Sequence, residues 1–360
     1  MSKIIYPYQK AISLVKEDFG AVEHCIEKFV DEQKNYLDLE EQLFYKKGKK
    51  LRPLLFLLAA KIASSHKSHL LPEKVHAAAA SIEMIHVGSL IHDDIVDKAP
   101  IRRGLPTICA SRGYEIALII GDLQWIKATR LMSDFMETKE DIQLMKRFLY
   151  TAEEVCKGQL DEMLTEPNED INALINRYFR TIDRKTGQLI AFSCEGGARC
   201  VEGSARTIAC LQRYGTLMGR AFQIMDDVFD IVKPSQNSGK EQMIDLKEGR
   251  LSLPIIYTLK ELPKTHFLQK VLKKQPLSKA ELKEGIAVIQ NGNGWIEAAS
   301  IARAISSKAI AQLMMLVDSP YREVLIDLAH FTVNQGFLDN KEDVFKSAFN
   351  RASPSLVEAA

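Results

Sequence analysis

Two segments of this chain are apolar on nearly every side of a helix, and both run into the same acidic pattern. Val75–Asp97 reads VHAAAASIEMIHVGSLIHDDIVD, and Leu217–Asp230 reads LMGRAFQIMDDVFD. A helix that is apolar all round lies inside a protein. The fold must therefore be built around two central helices, and each ends in D-D-x-x-D. Asp93, Asp94 and Asp97 form the first cluster, and Asp226, Asp227 and Asp230 form the second. Residues four apart on a helix share a face, so Asp93 points with Asp97 and Asp226 with Asp230. Carboxylates crowded at the end of an apolar helix repel one another and lose hydration, so they need cations. One such cluster is as often a solvated helix end. Two copies, each after an apolar helix, point to one site between them.

Oxygen ligands suit a hard ion, and magnesium takes one or two carboxylates together with substrate phosphates. Two facing clusters would hold several magnesium ions around one diphosphate, and three per site is the expectation. A calcium loop does not fit, because the glycine and twelve-residue ligand spacing of such loops are missing.

The rest of the chain reads as helix. Alternating strand patterns are scarce, and Ala, Leu, Glu, Lys and Ile dominate. Breakers such as Gly48, Pro53, Pro72, Pro100, Pro106, Pro167 and Pro254 are spaced at helix length or more. The expectation is an all-α fold, a single large helical bundle with a central cavity lined by the two aspartate-rich helices. It covers residues 1–349, with a loose tail at 350–360 and a polar loop at Lys233–Gly239. Apolar residues make up 46% of the 360, enough for a sizeable core, and the net charge of +1 argues against a nucleic-acid binder. The cysteines at 25, 109, 156, 194, 200 and 210 contain no C-x-x-C pair. The start, MSKIIYPYQKAIS, lacks a signal-peptide core, which gives a cytoplasmic expectation with reduced thiols. The apolar runs at Leu54–Ala60 and Ile116–Ile120 are too short to span a bilayer, so contact with a membrane is expected only at its surface.

Cations recur beside the acidic clusters and breakers. Arg102 and Arg103 follow the first cluster in KAPIRRG, Lys49 and Arg52 sit in GKKLRP, and Lys185 and Thr186 sit in RKTGQL. Lys240 and Arg250 follow the second cluster. Taken singly, each is more often a solvated surface charge. Together they fit phosphate. His86, seven residues before Asp93, shares its face and could reach a bound diphosphate. His92 lies on another face and reads as structural, while Asp122 is either a cap or a supporting residue.

These pieces resemble the trans-isoprenyl diphosphate synthase, or polyprenyl synthetase, family. The resemblance runs through GKKLRP, EMIHVGSLIHDDIVDKAPIRRG, the GD at 121–122, KTGQL, GRAFQIMDDVFD, DLKEGRLSLP and YREVLIDLAHFTVNQ. It is closest to bacterial medium- and long-chain members of the heptaprenyl and octaprenyl type. It implies that all six aspartates hold magnesium on an allylic diphosphate and that Arg102, Lys185 and Lys240 grip that diphosphate. It implies that Lys49, Arg52, His86 and Arg103 bind isopentenyl diphosphate, and that Thr186 and Gln223 place oxygen dipoles near an allylic cation. A homodimer is also implied. Lys47-Gly48-Lys49-Lys50 and Gly249-Arg250 depart from the family's Gly-Gly-Lys-Arg and Gly-Lys, but both keep the charge.

One helical turn rises 5.4 Å, about one isoprene unit, so small residues above the first cluster predict a product of roughly six to eight units. In short-chain members the place held here by Gly88 and Ser89 is usually aromatic. Ile85 is the next bulky mark, and Trp125 is the candidate floor from another helix. The alternatives are a geranylgeranyl-type synthase with a shorter product, a class I terpene cyclase, and a non-catalytic partner subunit. A cyclase would leave GKKLRP and RRG unexplained, and a non-catalytic subunit should have degraded motifs.

Overall fold

In the computed structural model the described residues are 6–64, 70–164, 170–232 and 244–334. Four helices, α1 (Tyr6–Leu14), α2 (Lys16–Asp31), α3 (Leu39–Lys46) and α4 (Leu51–Ala63), lead to the central α5 (Glu73–Val96). A short hairpin follows, β1 (Ile101–Arg102) antiparallel to β2 (Leu105–Pro106). Next come α6 (Ile108–Arg112), α7 (Tyr114–Ser133), α8 (Lys139–Met163) and α9 (Ile171–Ile182). A π-helical turn, Asp183–Gly187, joins α9 to α10 (Gln188–Cys200) and the second central helix, α11 (Ala205–Val232). α12 (Ile244–Glu248), α13 (Leu253–Glu261) and a 3-10 turn (Phe267–Lys273) precede α14 (Lys279–Asn291), α15 (Gly294–Leu313) and α16 (Pro320–Asn334). The fold is all-α as expected, with the Arg-Arg-Gly loop tightened into a hairpin. The expected loop at 233–239, Lys240 and the tail at 350–360 lie outside the described residues.

Local chemistry sets where several helices begin. Asp38 with Glu41, Thr138 with Asp141 and Ser278 with Glu281 form capping boxes at the starts of α3, α8 and α14. Pro53 sits in the first turn of α4, where its missing N–H costs no helical hydrogen bond. In the hairpin, Arg103 and Gly104 both have positive φ, 53° and 76°, as a two-residue type I′ turn requires.

Burial then orders the helices. α4 buries Leu54–Ala60 completely, and burying each such leucine contributes about 1.5–3 kcal/mol. This run is core, and among the described residues no helix is long and apolar enough to cross a membrane. α5 is buried along its length and packs against α2, α4, α7 and α10. One apolar cluster gathers α1–α5, α7, α8 and α10, and a second gathers α9, α13 and α14. α11 joins the two: Cys210–Met218 belongs to the first and Ala221–Ile231 to the second. The acidic end of α11 therefore emerges within the second cluster, facing the end of α5.

A buried polar knot fixes α2 against α4 and α5. The Asp18 carboxylate, 2% exposed, lies 2.8 Å from Lys61 Nζ and 2.8 Å from His76 Nε2 and accepts the Leu71 N–H at 2.8 Å. Between α5 and α7 the contact is an interlock of rings and glycines. A Cβ on Gly88 would stand 2.6 Å from the Trp125 ring, and one on Gly121 would stand 2.3 Å from His92. Each helix thus offers a glycine to an aromatic ring of the other, one turn apart. Beside it the Gln124 amide donates at 2.7 Å to Gln33, in the turn that follows α2, both side chains buried.

Candidate active site

The last turn of α5 sends its carboxylates in two directions. Asp93 and Asp97 share the face that meets basic residues from distant segments. Lys185 Nζ lies 3.8 Å from Asp93 and 2.6 Å from Glu162 at the end of α8. Arg250 Nη2 lies 2.5 Å from Asp97 and 2.7 Å from Glu248. Asp94 turns the other way, is buried, and accepts from Arg102 Nε at 2.5 Å. Burial raises its pKa to about 6, against the opposing charge of Arg102. This bond ties the hairpin to α5.

The cluster on α11 divides in the same manner. Asp226 is exposed and Asp230 half-buried, whereas Asp227 is buried. Asp227 accepts from the Tyr178 hydroxyl at 2.6 Å and from Gln223 Nε2 at 3.0 Å. Burial, with Asp245 and Asp226 nearby, holds its carboxyl well above the usual range in spite of these donors. Gln223 Oε1 in turn accepts from the Thr186 hydroxyl at 2.8 Å. A chain Tyr178–Asp227–Gln223–Thr186 therefore fixes which way the Gln223 amide points. Asp245, from α12, is pushed up to about 7 by burial and by Asp230.

Lys185 and Thr186 project from the π-helical turn, a feature common at functional sites. Ion pairs to two neighbouring helices pin this turn. Arg220 of α11 meets Asp183 at 2.5 Å, and Arg184 meets Asp161 of α8 at 2.7 Å. Gly158 permits the approach, because a Cβ there would stand 2.4 Å from the Lys185 backbone nitrogen. Asp97, Glu162, Lys185, Thr186, Gln223 and Arg250 all line one cavity of about 810 Å³, which continues to apolar residues of α9 and the 3-10 turn. Among the described residues no three His, Cys, Asp or Glu side chains converge enough to hold an ion by themselves. That donor set suits a metal whose coordination is completed by phosphate oxygens and water.

A second basic group gathers at the start of α4. Gly48, at φ 128°, leaves room for the Arg103 guanidinium, which donates through Nη1 to the Lys47 carbonyl. Arg52 and Arg103 act on His86 of α5 with Arg102. Burial and these charges hold the His86 imidazole well below its ordinary pKa, so it is neutral at neutral pH. Lys50, whose left-handed φ of 47° begins α4, is the lysine turned inward, while Lys49 is exposed.

Of the residues named from sequence, the structure brings Asp97, Asp227, Lys185, Thr186 and Gln223 to one cavity, with Asp93 against Lys185. It brings Arg52, His86 and Arg103 together as a second group, and Arg102 joins the two. The space left by Gly88, one of the small residues from which a six- to eight-unit product was expected, is filled by the Trp125 ring. Ser89 is half-buried and Ile85 buried. Asp122 lies mid-helix on α7, 3.4 Å from His92 Nε2, and is no cap. Sequence reasoning missed Glu162, Tyr178, Asp245 and Glu83. Glu83 alone had a signal, being one turn before His86 on the same face.

The geometry agrees with what the chain is similar to. The polyprenyl synthetase family model matches residues 33–289. A nonaprenyl diphosphate synthase of Mycobacterium tuberculosis is 31% identical over 294 residues, covering 81% of this chain and 84% of that protein. Heptaprenyl diphosphate synthase component 2 of Geobacillus stearothermophilus is 32% identical over 252 residues, covering 69% of this chain and 75% of that one. A crystal structure of the Staphylococcus aureus heptaprenyl diphosphate synthase superposes with a TM-score of 0.78 at 25% identity, covering 88% and 98% of the two chains. With its paired acidic helix ends and its π-turn lysine, the chain belongs to the polyprenyl synthetase family of prenyltransferases.

Proposed function

We propose that this enzyme condenses isopentenyl diphosphate with an allylic diphosphate, in a magnesium-dependent reaction, to give a medium- to long-chain all-trans polyprenyl diphosphate. One observation carries the reading: the acidic ends of α5 and α11 and the Lys185–Thr186 turn border a single cavity, with Arg52, His86 and Arg103 forming a second anion cradle beside it. Asp93, Asp97 and Asp226 are the carboxylates we assign to magnesium. When bound, the metal neutralises the diphosphate. Lys185 and Arg250 take up charge on that diphosphate as the allylic C–O bond breaks and the electron pair leaves with oxygen. Lys240 is assigned the same role from the resemblance. Arg52, Arg103 and His86 hold isopentenyl diphosphate so that its double bond attacks the allylic carbon, and proximity supplies much of the rate. Thr186 and Gln223 present oxygens to the cation, with Gln223 oriented by Asp227. The proton lost from the new allyl unit goes to the departing diphosphate.

The medium- to long-chain product is supported by the heptaprenyl and nonaprenyl relatives and by the small Ser89. A second reading, a shorter product, is favoured by the Trp125 ring against Gly88. A homodimer is supported by the exposed Ile119 and Ile126 on α7, at 64% and 67%. The name of the Geobacillus relative raises a partner component as the alternative. The deciding experiment incubates the purified chain alone with isopentenyl diphosphate, an allylic starter and magnesium, and sizes the products by mass spectrometry. No elongation by the single chain would overturn the proposal.

A further inference from the structure

Glu83 sits on α5 one turn before His86, on the same face, and only 3% of it is exposed. Buried carboxylates are as a rule fully hydrogen-bonded. Here Oε2 of Glu83 is buried with no partner, and so is Nε of Arg52. Two orphaned polar atoms of opposite charge thus lie on packed helices, Arg52 on α4 and Glu83 on α5, and the charges of Arg52 and Arg103 reach both Glu83 and His86. Arg52, Arg103 and Lys50 all act on the Glu83 carboxylate, and burial sets its pKa above the usual range in spite of them. The same burial pushes Arg52 down to about 10.

The other cations of the group have anchors of their own. Lys50 lies 3.4 Å from Glu23, and Arg103 donates to the Lys47 carbonyl. Arg52 depends on the field of Glu83. Without that carboxylate, two half-buried guanidiniums would stand near one another uncompensated, and the less anchored one would turn to water.

We propose that Glu83 is the positioning residue of the isopentenyl diphosphate site, its buried carboxylate holding the Arg52 and Arg103 guanidiniums toward the face of α5 that carries His86. This rests on the reading of that group as the isopentenyl diphosphate cradle. Glu83 does not touch the reacting atoms. It keeps the cations gathered while the site awaits its anion, and the incoming diphosphate then supplies the oxygens that Arg52 Nε lacks. A purely structural ion cluster joining α4 to α5 would affect the fold, and with it both substrates alike.

Steady-state kinetics on the full chain separate these cases, with each substrate varied in turn. Glu83→Gln keeps the shape and removes the charge. It is expected to raise KM for isopentenyl diphosphate about thirtyfold or more, the low end for removing one partner of a buried charge pair. Its kcat and its KM for the allylic substrate should stay within about twofold of wild type. Glu83→Asp, which restores the charge one methylene short, should recover part of the loss. Arg52→Ala is the control for the site itself. If Arg52→Ala raises KM for isopentenyl diphosphate but Glu83→Gln does not, or if Glu83→Gln raises both KM values equally, the positioning role is overturned. If Arg52→Ala leaves that KM unchanged, the reading of the site fails and the role of Glu83 fails with it. Should Glu83→Gln not fold, Glu83→Asp carries the test, with a selective rise of severalfold expected and no rise overturning the proposal.

Discussion

On α5, a single step along the chain moves a carboxylate from the cavity to the hairpin. Asp93 and Asp97 meet Lys185 and Arg250, while Asp94 is taken up by Arg102. On α11, Asp227 is held by Tyr178 and Gln223, which leaves Asp226 on the exposed side. These five aspartates are therefore of two kinds, and substitutions should sort them. Asp93→Ala and Asp226→Ala are expected to lower kcat by about a thousandfold or more, the scale of removing a charge-stabilising group from a preorganised site, while circular dichroism stays helical. Excess chelator should abolish wild-type turnover, and added magnesium should restore it. Near-normal incorporation of labelled isopentenyl diphosphate by either variant, or in chelator, would show that these carboxylates hold no essential ion.

At the scale of elements, two packing devices make separate predictions. Burial works against ionisation of Asp18, but its bonds to His76 and Lys61 outweigh burial and hold the carboxyl below its ordinary 3.8. A carboxylate depressed in the fold stabilises at every pH above its unfolded value, and the contribution is lost as pH falls through the lower folded value. Asp18→Asn should thus cost about 3–5 kcal/mol in denaturant unfolding at neutral pH, the range for breaking a buried pair. The gap from wild type should close below about pH 4. A constant gap down to pH 2 would mean that the knot is not ionic. The α5–α7 interlock concerns the product. Trp125→Ala opens the place beside Gly88 and should shift products to longer chains, while Ser89→Phe narrows the same level and should shorten them. Chromatographic sizing checks both, and unchanged distributions would mean that the growing chain does not run along this seam.

For the molecule as a whole, α7 has one side in the core and one in water. Ile119 and Ile126, seven residues apart on one face, leave an exposed apolar strip, the surface that the proposed homodimer would bury. Ile119→Asp together with Ile126→Asp should turn a dimer into a monomer in sedimentation at micromolar concentration. A wild-type chain that sediments as a monomer would favour a different partner instead. α11 has the matching role inside, since like α15 and α16 it contributes to both apolar clusters. Its length places an acidic end opposite that of α5, and the cavity lies where the two meet.

Much of this was legible without coordinates because it is local. The all-round apolar character of Val75–Asp97 and Leu217–Asp230 requires burial, and spacing four along a helix fixes which aspartates share a face. The breaker at Pro53, which falls in the first turn of α4, is equally local, while the grouping of Arg52 with His86 came from the family resemblance. What the sequence left open depends on partners far along the chain. Arg250 meets Asp97 across 153 positions, and Tyr178 meets Asp227 across 49. The π-helical turn needs Gly158 on another helix to make room for it. Gly88 reads as empty space from α5 alone and is filled only because the Trp125 ring arrives from α7. Periodicity along one helix states which side is inward; which neighbour occupies that side is decided by packing among helices that the chain brings together only when folded.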